Sequence, residues 1–156
     1  MAKIKKILAP TDLSDFSCVG VRRALEMARS EDAEVILYYV LGIGEDWFSD
    51  RPDLNPAGAV LDNQRRRLEA FVRQKFSDYA NLVEIRQIVE LGLPYQNIVE
   101  KAAQEEVDLI IMSTHGRTGL NHMLLGSVTE KVVARASCPV LAVPSPERTR
   151  AATLAA

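Results

Sequence analysis

The chain has 156 residues, 47% hydrophobic and 26% charged, with a formal net charge of −2. That length fits one domain with a sizeable core. Near-balanced charge excludes a broad basic footprint for nucleic acid or an anionic membrane, a local patch aside, and no stretch approaches the ~20 apolar residues of a bilayer span.

The start, MAKIKKILAP, has too short an apolar run for a signal peptide and no small-residue cleavage site. Ile4–Pro10 reads as the first strand and ends in Ala9, Pro10, Thr11 and Asp12. Ser14–Arg29 follows as a helix with Val21, Ala24, Leu25 and Ala28 on one face. Glu34–Leu41 is apolar almost throughout, the pattern of a strand covered on both faces. Gly42–Gly58, rich in Gly, Pro and Asp, is long for a loop, and its Trp47 and Phe48 suit either a surface anchor or a ligand contact.

Ala59–Tyr79 reads as a helix with Leu61, Leu68, Val72, Phe76 and Tyr79 inward. Leu82–Glu90 starts by alternating, so it is expected as a strand with one wetter face near a sheet edge. Leu93–Gln104 carries Pro94 at its start, where a missing N–H costs little. Val107–Met112 is a buried strand, Ser127–Ala136 a helix, and Pro139–Val143 the last strand. Ser145–Ala156 shows no periodicity and is expected to be a loose tail, leaving residues 1–144 as the domain. Strands alternating with helices predict an α/β fold: a single open five-stranded parallel sheet with helices on both faces. Such sheets take ligands outside the carboxyl ends of the strands, where strand order reverses.

Cys18 and Cys138 have no zinc-like spacing and make no disulfide framework. They read as half-buried free thiols, which fits a reducing compartment, and the cytoplasm is the expected location.

The chemistry concentrates between Ile110 and Lys131. Gly116, Gly119 and Gly126 lie between a buried strand and a helix. Glycine allows positive φ and close approach of a ligand to the main chain. The unpaired N–H groups and dipole of a helix start favour a phosphate. The competing reading is that Ser127-Val-Thr-Glu130 forms a capping box with Ser127 as N-cap, which needs no ligand. His115 on a turn fits a solvated residue or a group near phosphates. Asp12 fits contact with adenine, ribose or a phosphate-bound metal, while Asp12 or Ser14 could equally cap the next helix. Walker, dinucleotide and esterase-elbow motifs are absent.

With KKILAPTDLS at the first strand and STHGRTGLNHMLLGSVTEKVVARASCPVLAV near the end, the chain resembles the universal stress protein family from about Lys3 to Pro144. The nucleotide-binding branch carries Gly-x-x-Gly, nine residues, then Gly-Ser/Thr. Here Ser113-Thr-His-Gly116 precedes nine residues and Gly126-Ser127, so Ser113 replaces the first glycine. The resemblance implies a Rossmann-like, adenine-nucleotide α-hydrolase-like fold that binds ATP, with Mg or Mn carried through its phosphates. It implies that Pro10, Thr11, Asp12 and Val40 line the adenine and ribose end. Met112 and the turn Ser113, Thr114, His115, Gly116, Arg117, Thr118 and Gly119 would hold ribose and phosphates. Gly126, Ser127, Val128 and Thr129 would close on the phosphates. It also implies a homodimer through the last strand, Pro139 to Val143, with no nucleic acid or membrane partner.

Three functions compete. A nucleotide-dependent stress-response or signalling module, at most a slow ATPase, suits a site rich in backbone donors and poor in catalytic groups. A nucleotidyl or phosphoryl transferase would need a lid, for which Gly42–Gly58 is the candidate. A dimeric interaction protein with an empty site is favoured by Ser113 and disfavoured by Gly116, Gly126 and Ser127.

Overall fold

The computed structural model describes residues 3–43, 56–116 and 124–146. The expectations for Trp47 and Phe48, for Arg117, Thr118 and Gly119, and for residues 147–156 of the tail fall outside these stretches.

Strands β1 (Lys6–Thr11), β2 (Glu34–Gly42), β3 (Ile85–Gly92), β4 (Leu109–Ser113) and β5 (Val140–Val143) form one parallel sheet in the order β3-β2-β1-β4-β5. Successive side chains alternate between faces, and the two cores follow that alternation. Ile7, Ala9, Val35, Leu37 and Tyr39 pack with α1 (Asp15–Glu31) and α2 (Pro56–Lys75). Leu8, Ile36, Tyr38 and Val40 pack with α3 (Pro94–Gln104) and α4 (Ser127–Arg135). Tyr95 of α3 lies under the cations of Lys131 and Arg135, 4.9 and 5.4 Å from its ring centre, which ties the two helices together. Among the described residues no helix is long and apolar enough to cross a membrane.

Local chemistry explains most element ends. Ser14 caps α1 by accepting from the Ser17 N–H at 3.2 Å, and the helix ends at Asp32 in the left-handed region (φ 57°). Pro94 opens α3 as expected. The helix expected over Ala59–Tyr79 instead spans Pro56–Lys75, followed by a separate turn of 3₁₀ helix at Ser77–Tyr79. Phe76 sits between them at φ −136° and is fully buried, so the apolar period continues across a break in the backbone. The strand expected from Leu82 also shifts: β3 begins at Ile85, and Leu82 is exposed. Its half-buried pattern matches its edge position.

Ion pairs gather where the strands begin. Arg86 donates to Glu34 at 2.7 Å and bidentately to Glu105 at 3.1 and 2.6 Å. The guanidinium holds the Glu105 carboxyl below its ordinary range. Asp108 accepts the N–H groups of Lys5 and Lys6 at 2.8 and 3.0 Å, which likewise lowers its pKa. This charged end leaves the opposite end of the sheet for other chemistry.

There the sheet opens. β1 pairs with β2 along six residues but with β4 only through Ile7↔Leu109 and Leu8↔Ile110. Beyond these pairs β1 and β4 run on without ladder bonds between them. Strand order reverses between the same two strands, so the crevice lies at the switch point.

Candidate functional site

A cavity of about 340 Å³ fills this crevice, a size suited to a small molecule. Among the described residues five segments build it: the turn after β1, the end of β2, the start of α3, the turn after β4 and the start of α4.

The first turn, Thr11–Ser14, is held by its own side chains. Ser17 Oγ donates to the Ser14 carbonyl at 2.8 Å, so Thr11 Oγ1, 2.8 Å from Ser17 Oγ, is the donor of that pair. Thr11 Oγ1 also accepts from the Leu13 N–H at 3.0 Å. These bonds hold Leu13 at φ 65°, a left-handed conformation that costs a branched residue about 1–2 kcal/mol. Asp12 Oδ1 accepts from both the N–H and the hydroxyl of Ser14, at 3.0 and 2.5 Å. Of the two capping alternatives Ser14 takes the role, and Asp12 stands on the cavity wall.

The second turn is tied to itself and to α4. Ser113 Oγ donates to the His115 carbonyl at 2.8 Å, and Thr114 Oγ1 lies 2.9 Å from His115 Nδ1. Thr129 Oγ1 donates to the Ser113 carbonyl at 2.9 Å, and the Gly126 N–H to the Thr114 carbonyl at 2.6 Å. The serine in place of the motif's first glycine therefore spends its hydroxyl on the turn itself.

The capping box does not form. Gly126 is the N-cap of α4, Ser127 is its first helical residue, and no side chain caps the helix. The first N–H groups of an α-helix have no intrahelical partner, and here Ser127, Val128 and Thr129 face the cavity. This end carries the positive pole of the helix dipole. Neither Gly116 nor Gly126 has positive φ; among the described glycines only Gly92 does, at 150°. A Cβ on Gly116 would lie 2.5 Å from Asp12 Oδ2, and one on Gly126 would lie 3.0 Å from the Thr114 carbonyl oxygen. The motif glycines make room for the chain's own atoms.

The far end of the cavity is apolar. Val40 lines it with Met112, expected instead at the ribose and phosphates, and with Val128; Tyr38, Pro94 and Ile98, not expected at the site, complete it. Tyr38 donates its hydroxyl to Glu90 at 2.5 Å, and Glu90 pairs with Lys101, also at 2.5 Å. Burial, then the Glu90 carboxylate, push the Tyr38 phenol far above its ordinary pKa. The ring is thus a neutral wall. Tyr38 could have been found by period alone, since it shares a sheet face with Val40 two residues on.

Of the remaining sequence-predicted residues, Pro10, Thr11, Ser113, His115, Gly116 and Gly126 also line the cavity. Thr114 does not; it is buried behind the turn, its N–H bonded to the Val143 carbonyl at 3.0 Å. The wall also includes Ser17, Tyr39, Leu41 and Gly42, which were not expected there.

A family model described as the universal stress protein family matches residues 3–144. Universal stress protein MJ0531 of Methanocaldococcus jannaschii is 35% identical over 147 residues, covering 92% of this chain and 84% of that protein. Universal stress protein MJ0577 of the same organism is 34% identical over 152 residues, covering 89% and 94%. The solved structure of MJ0577 superimposes with a TM-score of 0.71 at 32% identity, covering 92% and 98%. A universal stress protein crystallised in complex with cAMP superimposes at 0.60 with 25% identity, covering 92% and 98%. The switch-point crevice, the glycine-spaced turn and the extent of these matches agree, and the chain belongs to the universal stress protein family.

Proposed function

We propose that the chain is an adenine-nucleotide-binding module of stress response or signalling, with ATP as its ligand. The observation that carries this reading is the α4 start, which has no side-chain cap and faces a cavity with an apolar far end. A phosphate suits such a start, where each hydrogen bond to a charged group contributes about 1.5–3 kcal/mol. In this reading Val40 and Met112 flank the base and Asp12 accepts from the ribose. Gly126 to Thr129, with the turn from Ser113 to Gly116, receive the phosphates. A universal stress protein of this fold crystallised in complex with cAMP supports a nucleotide as the ligand. Among the described residues no three His, Cys, Asp or Glu side chains cluster to hold a metal. In this reading a divalent ion is carried by the phosphates, with the Asp12 carboxylate on the cavity wall beside them.

Calorimetric titration of the purified chain with ATP, AMP and cAMP, after analysis of small molecules released by denaturation, tests the reading. Saturable binding of one ATP per chain is expected, with turnover below ~1 per second. No binding of any of the three nucleotides would overturn it.

The same reading includes a homodimer through β5. Leu141 is exposed on this edge strand, Pro139 and Pro144 bracket it, and among the described residues β4 is its one sheet neighbour. A bare apolar edge invites pairing with another strand, and a second copy is the natural occupant. Sedimentation at micromolar concentration is expected to give a dimer, and Leu141→Lys to shift it toward monomer. A wild-type monomer would remove this part of the proposal.

A further inference from the structure

Asp12 is the carboxylate on the cavity wall, and its orientation depends on a residue that does not line the cavity. Ser14 Oγ accepts from the Ser17 N–H, so its single proton is left for another acceptor. That acceptor is Asp12 Oδ1, at 2.5 Å, which also takes the Ser14 N–H at 3.0 Å. Two donors from one residue hold Oδ1 toward α1. The other oxygen, Oδ2, is thereby directed over Gly116, on the turn after β4. The carboxylate thus bridges the two strand ends, and one of its oxygens is held by a residue outside the cavity.

We propose that Ser14 is a positioning residue: beyond capping α1, it locks the Asp12 side chain in the rotamer that presents Oδ2 to the bound ligand. The ligand half of this proposal rests on the nucleotide reading above, whereas the rotamer lock does not.

Two measurements decide it. Three-bond couplings at the Asp12 β-protons should report one χ1 rotamer in the wild type and in Ser14→Thr, and averaging in Ser14→Gly. Glycine serves as an N-cap at little cost, so α1 and the melting temperature should be almost unchanged. In calorimetry with ATP, Ser14→Gly should weaken binding about three- to tenfold, and Ser14→Thr should keep wild-type affinity. On an Asp12→Ala background the Ser14→Gly change should have no further effect on affinity. A single Asp12 rotamer in Ser14→Gly would overturn the lock. Wild-type affinity in that variant, or an equal loss with and without the Asp12 carboxylate, would overturn its role at the site. A wild-type chain that binds no nucleotide would instead remove the proposed function, and the couplings would still decide the lock.

Discussion

Gly116→Ala is expected to weaken ATP binding by about tenfold to a hundredfold while changing thermal stability little. The added Cβ would stand 2.5 Å from Asp12 Oδ2 and 3.5 Å from its Cγ, and among the described residues beyond its chain neighbours it meets no backbone atom within 4 Å. A side chain moves aside more cheaply than a main chain, so Asp12 is displaced from its bonds to Ser14 while the backbone stays in place. The cost then falls on the site. A lost hydrogen bond to a charged group is about 1.5–3 kcal/mol, which sets the expected range. Asp12 is the intermediary between Gly116 and the ligand, and a double-mutant cycle tests that directly. Asp12→Ala should produce a similar loss, and adding Gly116→Ala to it should produce little more. Full additivity of the two losses, or wild-type affinity in Gly116→Ala, would show that Gly116 does not act through this carboxylate.

The two expectations about Gly116 and Gly126 illustrate what a sequence can and cannot say. Spacing and composition identify these positions because glycine between a buried strand and a helix is unusual enough to notice. They do not say why glycine is there. Positive φ and room for a ligand are reasonable expectations, yet both residues have ordinary φ and the crowding atoms belong to Asp12 and Thr114, distant in sequence. Likewise Ser127 and Glu130 carry the spacing of a capping box, but Gly126 takes the N-cap, with its N–H drawn to the Thr114 carbonyl. That tertiary bond is invisible to a local pattern. Strands and helices were legible because burial imposes their periods on the residues themselves: Leu8, Ile36 and Tyr38 on one face, Ile7, Val35 and Leu37 on the other. Phe76 marks the limit of that logic, since a buried side chain keeps the helical period where the backbone has already left the helix.

Gly20 carries no motif, and its substitution is expected to have the largest effect on stability. It lies inside α1, where alanine is the better helix former by about 1 kcal/mol. Propensity alone therefore predicts that Gly20→Ala stabilises the chain. Packing predicts the opposite. A Cβ there would lie 2.5 Å from the Ser113 N, 2.7 Å from the Met112 carbonyl carbon and 2.9 Å from the Met112 Cα. All three are main-chain atoms of β4, which cannot rotate away, so α1 must lift off the strand. Overpacking of this kind costs about 1–3 kcal/mol, and more where backbone must move. With the clash outweighing the propensity gain by about 2 kcal/mol, the melting temperature should fall by about 4–8 °C. Met112 and Ser113 also line the cavity, so nucleotide affinity should fall with it. An alanine at the exposed Glu26 of the same helix provides the control, because it tests propensity without a clash. If Gly20→Ala melts at or above the wild-type temperature, α1 can move off β4 without cost. The close seating of that helix on the strand would then not be what holds the turn after β4 in place.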